Sequence, residues 1–398
     1  MSALSSPSPG AQAGDFYDIA STLDARDQEL VARVRACARE HVAPIITTYW
    51  RRAEFPFELV PRLAALGIGG LGYRGYGCAG RSSTVAGFVM MELATVDPSI
   101  ATFVGVHCGL AMGAIYACGS EEQKQRWLPS MASFAKIGAF GLTEPDVGSG
   151  AARGLTTTAR RERDSWVLNG RKKWIGNATF ADWTIIWARD EVDRQVKGFV
   201  VERGTPGFTA KKMEDKMALR VVQNALITLS DCLVPDANRL DKARSFRDTA
   251  EVLKRTRVSV AWEAVGCARG AYQHAAQYAL ERRQFGRPIG SFQLVQDLLA
   301  RMLANITASQ CLCLRLSQLE DEGRLTDEHA SLAKAFCTMK MRETVGWARE
   351  LLGGNGILLE HNVGRFVADA EAIYSYEGTR EMNALIVGRS ITGLGAFI

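Results

Sequence analysis

The chain has little of what marks a secreted, metal-bound or membrane-spanning protein, and each shortfall removes a class of function. No uninterrupted apolar run approaches the ~18 residues that cross a bilayer. Met1 to Asp15, rich in Ser, Pro, Gly and Ala, has neither the basic nor the apolar region of a signal peptide. These features predict a cytoplasmic protein with a disordered tail over residues 1–23. The nine cysteines are scattered without metal-ligand spacing, and Cys311 and Cys313, two apart in a helical pattern, point to different faces. They read as thiols in a reducing compartment. His41, His107, His274, His329 and His361 form no short-spaced pair, which excludes a zinc enzyme. The 48 basic and 43 acidic residues form no block of one sign and no basic-aromatic interleaving, so neither nucleic acid nor membrane is expected as a partner. A net charge of +5 does suit anionic ligands such as nucleotide phosphates. No Gly-x-Ser-x-Gly elbow occurs. The string Gly67-Ile68-Gly69-Gly70-Leu71-Gly72 satisfies a dinucleotide fingerprint, but it follows an amphipathic helix that Gly67 would cap.

What is present is length and apolar content. With 398 residues and 47% hydrophobic residues the chain can bury a large core, divided among two or three domains. Val31, Val34, Ala38 and Val42 step by three or four, and Pro44 ends the run. Strand patterns then replace helical ones. Residues 166–171 carry an Asn169-Gly170 turn signal, and residues 183–187, 198–201 and 225–229 are β-rich. Helical spacing returns in Phe292, Val295, Leu299, Met302 and Ile306, a seam suited to a four-helix bundle or to another subunit. The reading is an α+β multidomain chain: an N-terminal helical domain over 24–137, a middle antiparallel β-sheet domain over 138–245 and a C-terminal helical bundle over 246–398.

Glu377 carries the chemistry. It stands in Tyr374-Ser375-Tyr376-Glu377-Gly378-Thr379-Arg380, about two dozen residues after Leu351-Leu352-Gly353-Gly354-Asn355-Gly356. A carboxylate between an aromatic ring and a glycine at the end of a buried helix is partly desolvated, which raises its pKa towards that of a carbon-acid base. Here the chain resembles the acyl-CoA dehydrogenase family, whose base stands in Tyr-Glu-Gly-Thr after Leu-Gly-Gly-Asn-Gly. The resemblance runs from roughly Leu30 to Phe397 and implies that family's three-domain fold, FAD as cofactor and an acyl-CoA substrate.

Further site residues follow from the resemblance. Gly141 to Ser149 is similar to the family's flavin loop, which implies flavin contacts at Leu142 and Thr143 and contacts to flavin and acyl-CoA at Ser149. Gly150 replaces the usual Asp. Trp174-Ile175-Gly176-Asn177 resembles Trp-Ile-Thr-Asn beside the isoalloxazine, with Gly176 lacking the hydroxyl that bonds flavin N5. Glu281 to Gly286, with Phe292 and Gln293, is similar to the motif that holds the FAD pyrophosphate and adenosine of a neighbouring subunit. It implies roles for Arg282, Gln284, Phe285, Phe292 and Gln293, and a guanidinium suits phosphate oxygens. Glu350, Leu351, Gly353, Gly354, Thr379, Glu381 and Phe397 match the remaining FAD contacts. Arg257 falls at an arginine that helps bind CoA, with Thr256 where some members carry the catalytic glutamate. Tyr376, Gly378, Ala101 and Thr102 complete the substrate set, and Glu263, two helical turns beyond Thr256, reads as structural.

Gly75 to Gly80, Gly119 to Lys124 and Gly388 to Gly393 are closest to glutaryl-CoA dehydrogenases. Gly176, Gln223-Asn224 and the base motif are shared with plant short-chain acyl-CoA oxidases. Ala101 occupies the place of the arginine that holds the glutaryl carboxylate, and an unpaired buried carboxylate is costly. The resemblance therefore implies dehydrogenation of a short, neutral acyl-CoA to trans-2-enoyl-CoA in a homotetramer. An electron-transfer flavoprotein or O2 is left open as acceptor, and so are a carrier-protein thioester and a non-catalytic flavin-binding relative.

Overall fold

A computed structural model describes residues 8–396. Its first region is helical: α1 (Ala25–Cys37), α2 (Ala43–Arg52), α3 (Val60–Ala65), α4 (Ser83–Val96), α5 (Pro98–Val104) and α6 (Glu121–Ala132). Asp97 makes the corner between α4 and α5. Its φ of −156° leaves the helix, its carboxylate accepts from the Ile100 N–H at 3.1 Å, and Pro98 takes the first turn, where no N–H is needed. Beyond Val104 the chain continues helically through a π stretch, Gly105–Met112, to Gly113–Cys118. The continuous helix Pro98–Cys118, 21 residues, is long and apolar enough to cross a membrane, but most of it is buried within the protein. It is packed as a core helix. Gly67, at φ 69°, follows α3 as a left-handed cap, so the glycine-rich string lies at a helix end.

The middle region holds a seven-stranded sheet: β1 (Gly138–Gly141), β2 (Thr158–Glu162), β3 (Ser165–Ile175), β4 (Trp183–Asp190), β5 (Val196–Glu202), β6 (Phe208–Lys212) and β7 (Ala225–Pro235). The order is β1-β4-β2-β3-β7-β6, with β5 on β4. Most ladders are antiparallel; β1 and β2 run parallel to β4. Along β4, Ile185 and Trp187 enter one core with Trp127 and Leu128 of α6, while Ile186 and Ala188 enter the other with Phe199 and Ile227. The expected Asn169-Gly170 turn is not a turn. Both residues lie inside β3 at a register shift, and Gly170 is there because a Cβ would stand 2.7 Å from Thr157 Cα. The chain reverses instead between Glu162 and Ser165, with Arg163 at φ 54°.

The last region contains α7 (Phe246–Glu281), α8 (Gln293–Asp321), α9 (Asp327–Leu351), α10 (Val363–Ser375) and α11 (Arg380–Thr392). Ser245 and Asp248 form a capping box at the start of α7. Asp369 of α10 ties the regions together, accepting from the Trp50 indole at 2.9 Å and the Leu219 N–H at 2.6 Å. On α8 the apolar seam divides. Met302 and Ile306 are buried, whereas Leu294 is 81% exposed and Val295 and Leu299 are half-buried. Residues 8–23 correct the expected disordered tail. A short helix, Pro9–Ala13, lies on α7, its Ala11 and Ala13 carbonyls accepting from Tyr272 and Gln273, and Ile19 and Leu23 are buried. Those contacts offset the cost of ordering the segment.

Close approach of α4 and α7 depends on glycine. A Cβ on Gly266 would stand 2.4 Å from the Met91 carbonyl oxygen, and one on Gly270 would stand 2.3 Å from that of Thr95. Gly266→Ala should therefore destabilise the protein by about 1–3 kcal/mol, seen as a lower thermal midpoint. An unchanged midpoint would mean that the two helices can separate at no cost.

Candidate active site

Helix α10 ends at Ser375, and the next residues leave the right-handed conformation: Glu377 has φ 52° and Gly378 φ 88°. A left-handed glutamate is strained, and the surrounding side chains hold it there. From α7, Thr256 Oγ1 donates to Glu377 Oε2 at 2.8 Å and Arg257 Nε donates to the Glu377 carbonyl at 3.3 Å. From α9, Lys334 Nζ donates to the carbonyls of Tyr374 and Gly378 at 2.8 and 2.7 Å. Asn383 of α11 donates to the carbonyls of Gly378 and Thr379, while the Thr379 side chain caps α11. Burial pushes the Glu377 carboxyl above the ordinary glutamate value. The Thr256 hydroxyl, the Arg257 guanidinium and the Lys334 ammonium hold it back. Burial also pulls Lys334 down to about 7, against the attraction of Glu377.

Elements from all three regions pack around the carboxylate. A Cβ on Gly109, in the π stretch after α5, would meet Thr256 Cγ2 at 3.3 Å; one on Gly176 would meet Val106 Cγ2 at 3.2 Å and Val222 Cγ1 at 3.6 Å. The end of β3 therefore faces the same helix that faces the base. Trp174 (φ 67°) and Asn177 (φ 66°) bend this end sharply. Asn177 Nδ2 donates to the carbonyls of Phe103 and Gly138, and Asn224 Nδ2 to that of Trp174. The indole of Trp174 is left 54% exposed. Leu142 and Thr143 lie beside it, with Thr143 O accepting from the Lys173 N–H at 2.8 Å. Under them is a buried ion pair: Lys172 Nζ donates to Glu144 Oε1 at 2.9 Å and to the Leu142 carbonyl at 3.0 Å. Glu144, which also accepts from Thr156 and Thr157, is held down at about 2. Ser149 is exposed at the end of this loop.

A second concavity, of about 630 Å³, is formed by the start of α8 and the end of α9. Arg282, Gln284, Phe285, Phe292, Gln293, Glu350, Leu351 and Gly353 line it. Phe285 is 91% exposed and Arg282 forms no ion pair among the described residues. Exposed aromatic faces and a free guanidinium fit a purine and a pyrophosphate, just as an exposed indole on a strained turn fits a flat ring. This donor set fits FAD, with the flavin end and the adenine end served by separate surfaces.

Some of the sequence-derived site residues lie elsewhere. Gly354 and Glu381 do not line the second concavity, and Glu381 pairs with Arg380. Ala101 is fully buried in the helical core, and its neighbour Thr102 is half-buried. Arg257, expected on CoA, is committed to Asp327 and the base loop, because its place on α7 turns it under Glu377. Phe397 lies outside the described residues. Sequence reasoning missed Lys334, Asn383 and the Glu144–Lys172 pair. The only signal was a lysine within an apolar helical face, at a position where charge is costly unless it is paired.

Three consecutive domain families match the chain: acyl-CoA dehydrogenase N-terminal domain over residues 24–135, middle domain over 139–232 and C-terminal domain over 246–392. The fold and cleft thus define a flavin-dependent oxidoreductase, and the chain belongs to the acyl-CoA dehydrogenase family. It is similar to glutaryl-CoA dehydrogenase from Mycobacterium smegmatis, at 41% identity and TM-score 0.93 over 97% of this chain and 99% of that one. A second solved glutaryl-CoA dehydrogenase from Mycobacterium smegmatis, in complex with FADH2, matches at 35% identity and TM-score 0.94, over 97% of this chain and all of the other. The short-chain specific acyl-CoA dehydrogenase of Clostridium acetobutylicum is 33% identical over 374 residues, 92% of this chain and 98% of that protein.

The Thr256 hydroxyl stabilises the charged form of Glu377, so its removal should raise the pKa of that carboxyl. A base role for Glu377 requires the carboxylate, and on that role the rate falls as pH drops through its pKa. In Thr256→Val the acid limb of the flavin-reduction rate should move up by about one pH unit. A limb that stays in place, or moves to lower pH, would show that the hydroxyl does not act on the base.

Proposed function

We propose that this protein oxidises a short, neutral acyl-CoA to the trans-2-enoyl-CoA, with Glu377 as the base. The observation that carries this reading is a carboxylate held on a strained backbone, raised by burial and bonded to Thr256, which packs against the same helix that Gly176 faces. Glu377 takes the α proton, which the thioester carbonyl acidifies. Its own N–H, beyond the last helical bond from the Tyr376 N–H to the Ala372 carbonyl, is the donor we assign to the thioester oxygen. When bound, FAD supplies the acceptor for the β-hydrogen as hydride. The walls from α5, α7 and β3 exclude water and hold the acyl carbons between base and flavin face.

Neutrality of the acyl group rests on the cations of the cleft. Arg257 is bound to Asp327 and Lys334 to two carbonyls, so neither is free to pair a distal carboxylate. For the electron acceptor we favour an electron-transfer flavoprotein. Val106 and Val222 crowd the space that a side chain at Gly176 would fill, which supports a closed surface there. The exposed Leu294, Ile391 and Leu394 support burial between subunits of a homotetramer.

Glu377→Gln should retain FAD and bind acyl-CoA while slowing flavin bleaching by about 100-fold or more, since the amide keeps shape without basicity. Near wild-type bleaching would remove Glu377 from this role. Butyryl-CoA should bleach the flavin faster than glutaryl-CoA, and release of carbon dioxide from glutaryl-CoA would overturn the neutral assignment. With enoyl product bound, wild type and Gly176→Thr should both reoxidise slowly in air. Rapid formation of stoichiometric hydrogen peroxide by the wild type, slowed by threonine, would make oxygen the acceptor.

A further inference from the structure

Two turns beyond Thr256, on the same face of α7, Glu263 is buried at 2% exposure and has no cationic partner among the described residues. Its carboxyl is tied to two hydroxyls from other elements. Thr102 Oγ1, on α5, lies 2.6 Å from Oε1, and the Tyr376 hydroxyl, next in sequence to the base, lies 2.8 Å from Oε2. The two hydroxyl oxygens are themselves 3.4 Å apart. Thr102 Oγ1 also stands 2.9 Å from the Pro98 carbonyl, the usual back-bond of a helical threonine. Each hydroxyl donates to one carboxyl oxygen. Burial pushes this carboxyl up to about 7 and nearby Glu377 adds to the shift, while the two hydroxyls hold it back.

Thr102 and Tyr376 are half-buried, and Thr102 shares its helical face with Val106, which faces Gly176, and with Gly109, which packs against Thr256 beside Glu377. An acyl chain that lies against Glu377 and extends along α7 therefore meets this knot within one tyrosine length of the base backbone. We propose that the Glu263–Thr102–Tyr376 knot is the distal wall of the acyl pocket and the determinant of short-chain specificity. A longer chain would have to part the knot and leave a buried carboxyl without partners, a penalty that a methyl terminus cannot offset. A chain ending in carboxylate would meet oxygen acceptors and no cation. This inference rests on the acyl-CoA desaturase reading.

The test uses purified, FAD-loaded full-length protein and follows flavin bleaching with butyryl-, hexanoyl- and octanoyl-CoA. Glu263→Ala removes the wall and should raise the octanoyl-to-butyryl ratio of kcat/KM by at least about tenfold, in the range that pocket methylenes contribute. Glu263→Gln keeps the side chain's shape and both contacts, its amide donating to Thr102 and accepting from Tyr376, and should leave that ratio unchanged within about threefold. A flavin-loaded Glu263→Ala with an unchanged ratio overturns the proposal, as does a Gln variant that shifts as far as Ala. Should Glu263→Ala not retain FAD, Thr102→Ala opens the same end from α5 and is judged by the same ratio. A wild type that no acyl-CoA bleaches would instead overturn the desaturase reading itself.

Discussion

A carboxylate must be kept out of water on a backbone that prefers another conformation, and much of the C-terminal region is arranged to do so. Left alone, Glu377 would relax to the right-handed region and turn its side chain towards solvent. Two long helices prevent this. Lys334 of α9 grips the carbonyls on either side of the base, and Arg257 of α7 grips the carbonyl of the base itself. The lysine is nearly without water and holds its place through hydrogen bonds to carbonyl dipoles, with the negative base as its charge partner.

The same contacts set the chemistry. Burial raises the Glu377 carboxyl above the ordinary glutamate range, and a hydroxyl, a guanidinium and an ammonium restrain the shift. Nearby Glu263 shares the desolvation without a cation, and burial pushes it up to about 7. The two carboxyls differ in their neighbours: Glu377 lies among Thr256, Arg257 and Lys334, whereas Glu263 is held by two hydroxyls.

The cofactor surfaces obey a different constraint. Trp174 and Phe285 stand exposed on bent backbone, and the N-terminal half of α8 presents apolar residues that its own chain leaves uncovered. Such surfaces are costly for an isolated protomer. They are suited to burial against a flat ligand.

Much of this was legible in order along the chain. Helical period, strand runs and helical period again marked the three regions, because apolar spacing is dictated by the element that must bury it. The base motif and the arginine-aromatic motif also stood out, since each is contiguous. The Asn169-Gly170 pair misled: a local turn preference yielded to the close passage of Thr157, a contact no window of sequence contains. What only tertiary structure decided is the fate of the charges. Thr256 reaches Glu377 across 121 positions, Tyr376 reaches Glu263 across 113, and Arg257 is claimed by Asp327, 70 positions away. Whether a buried ionisable group is base, clamp or wall depends on the donors brought to it by helix packing, and packing is a property of the assembled fold.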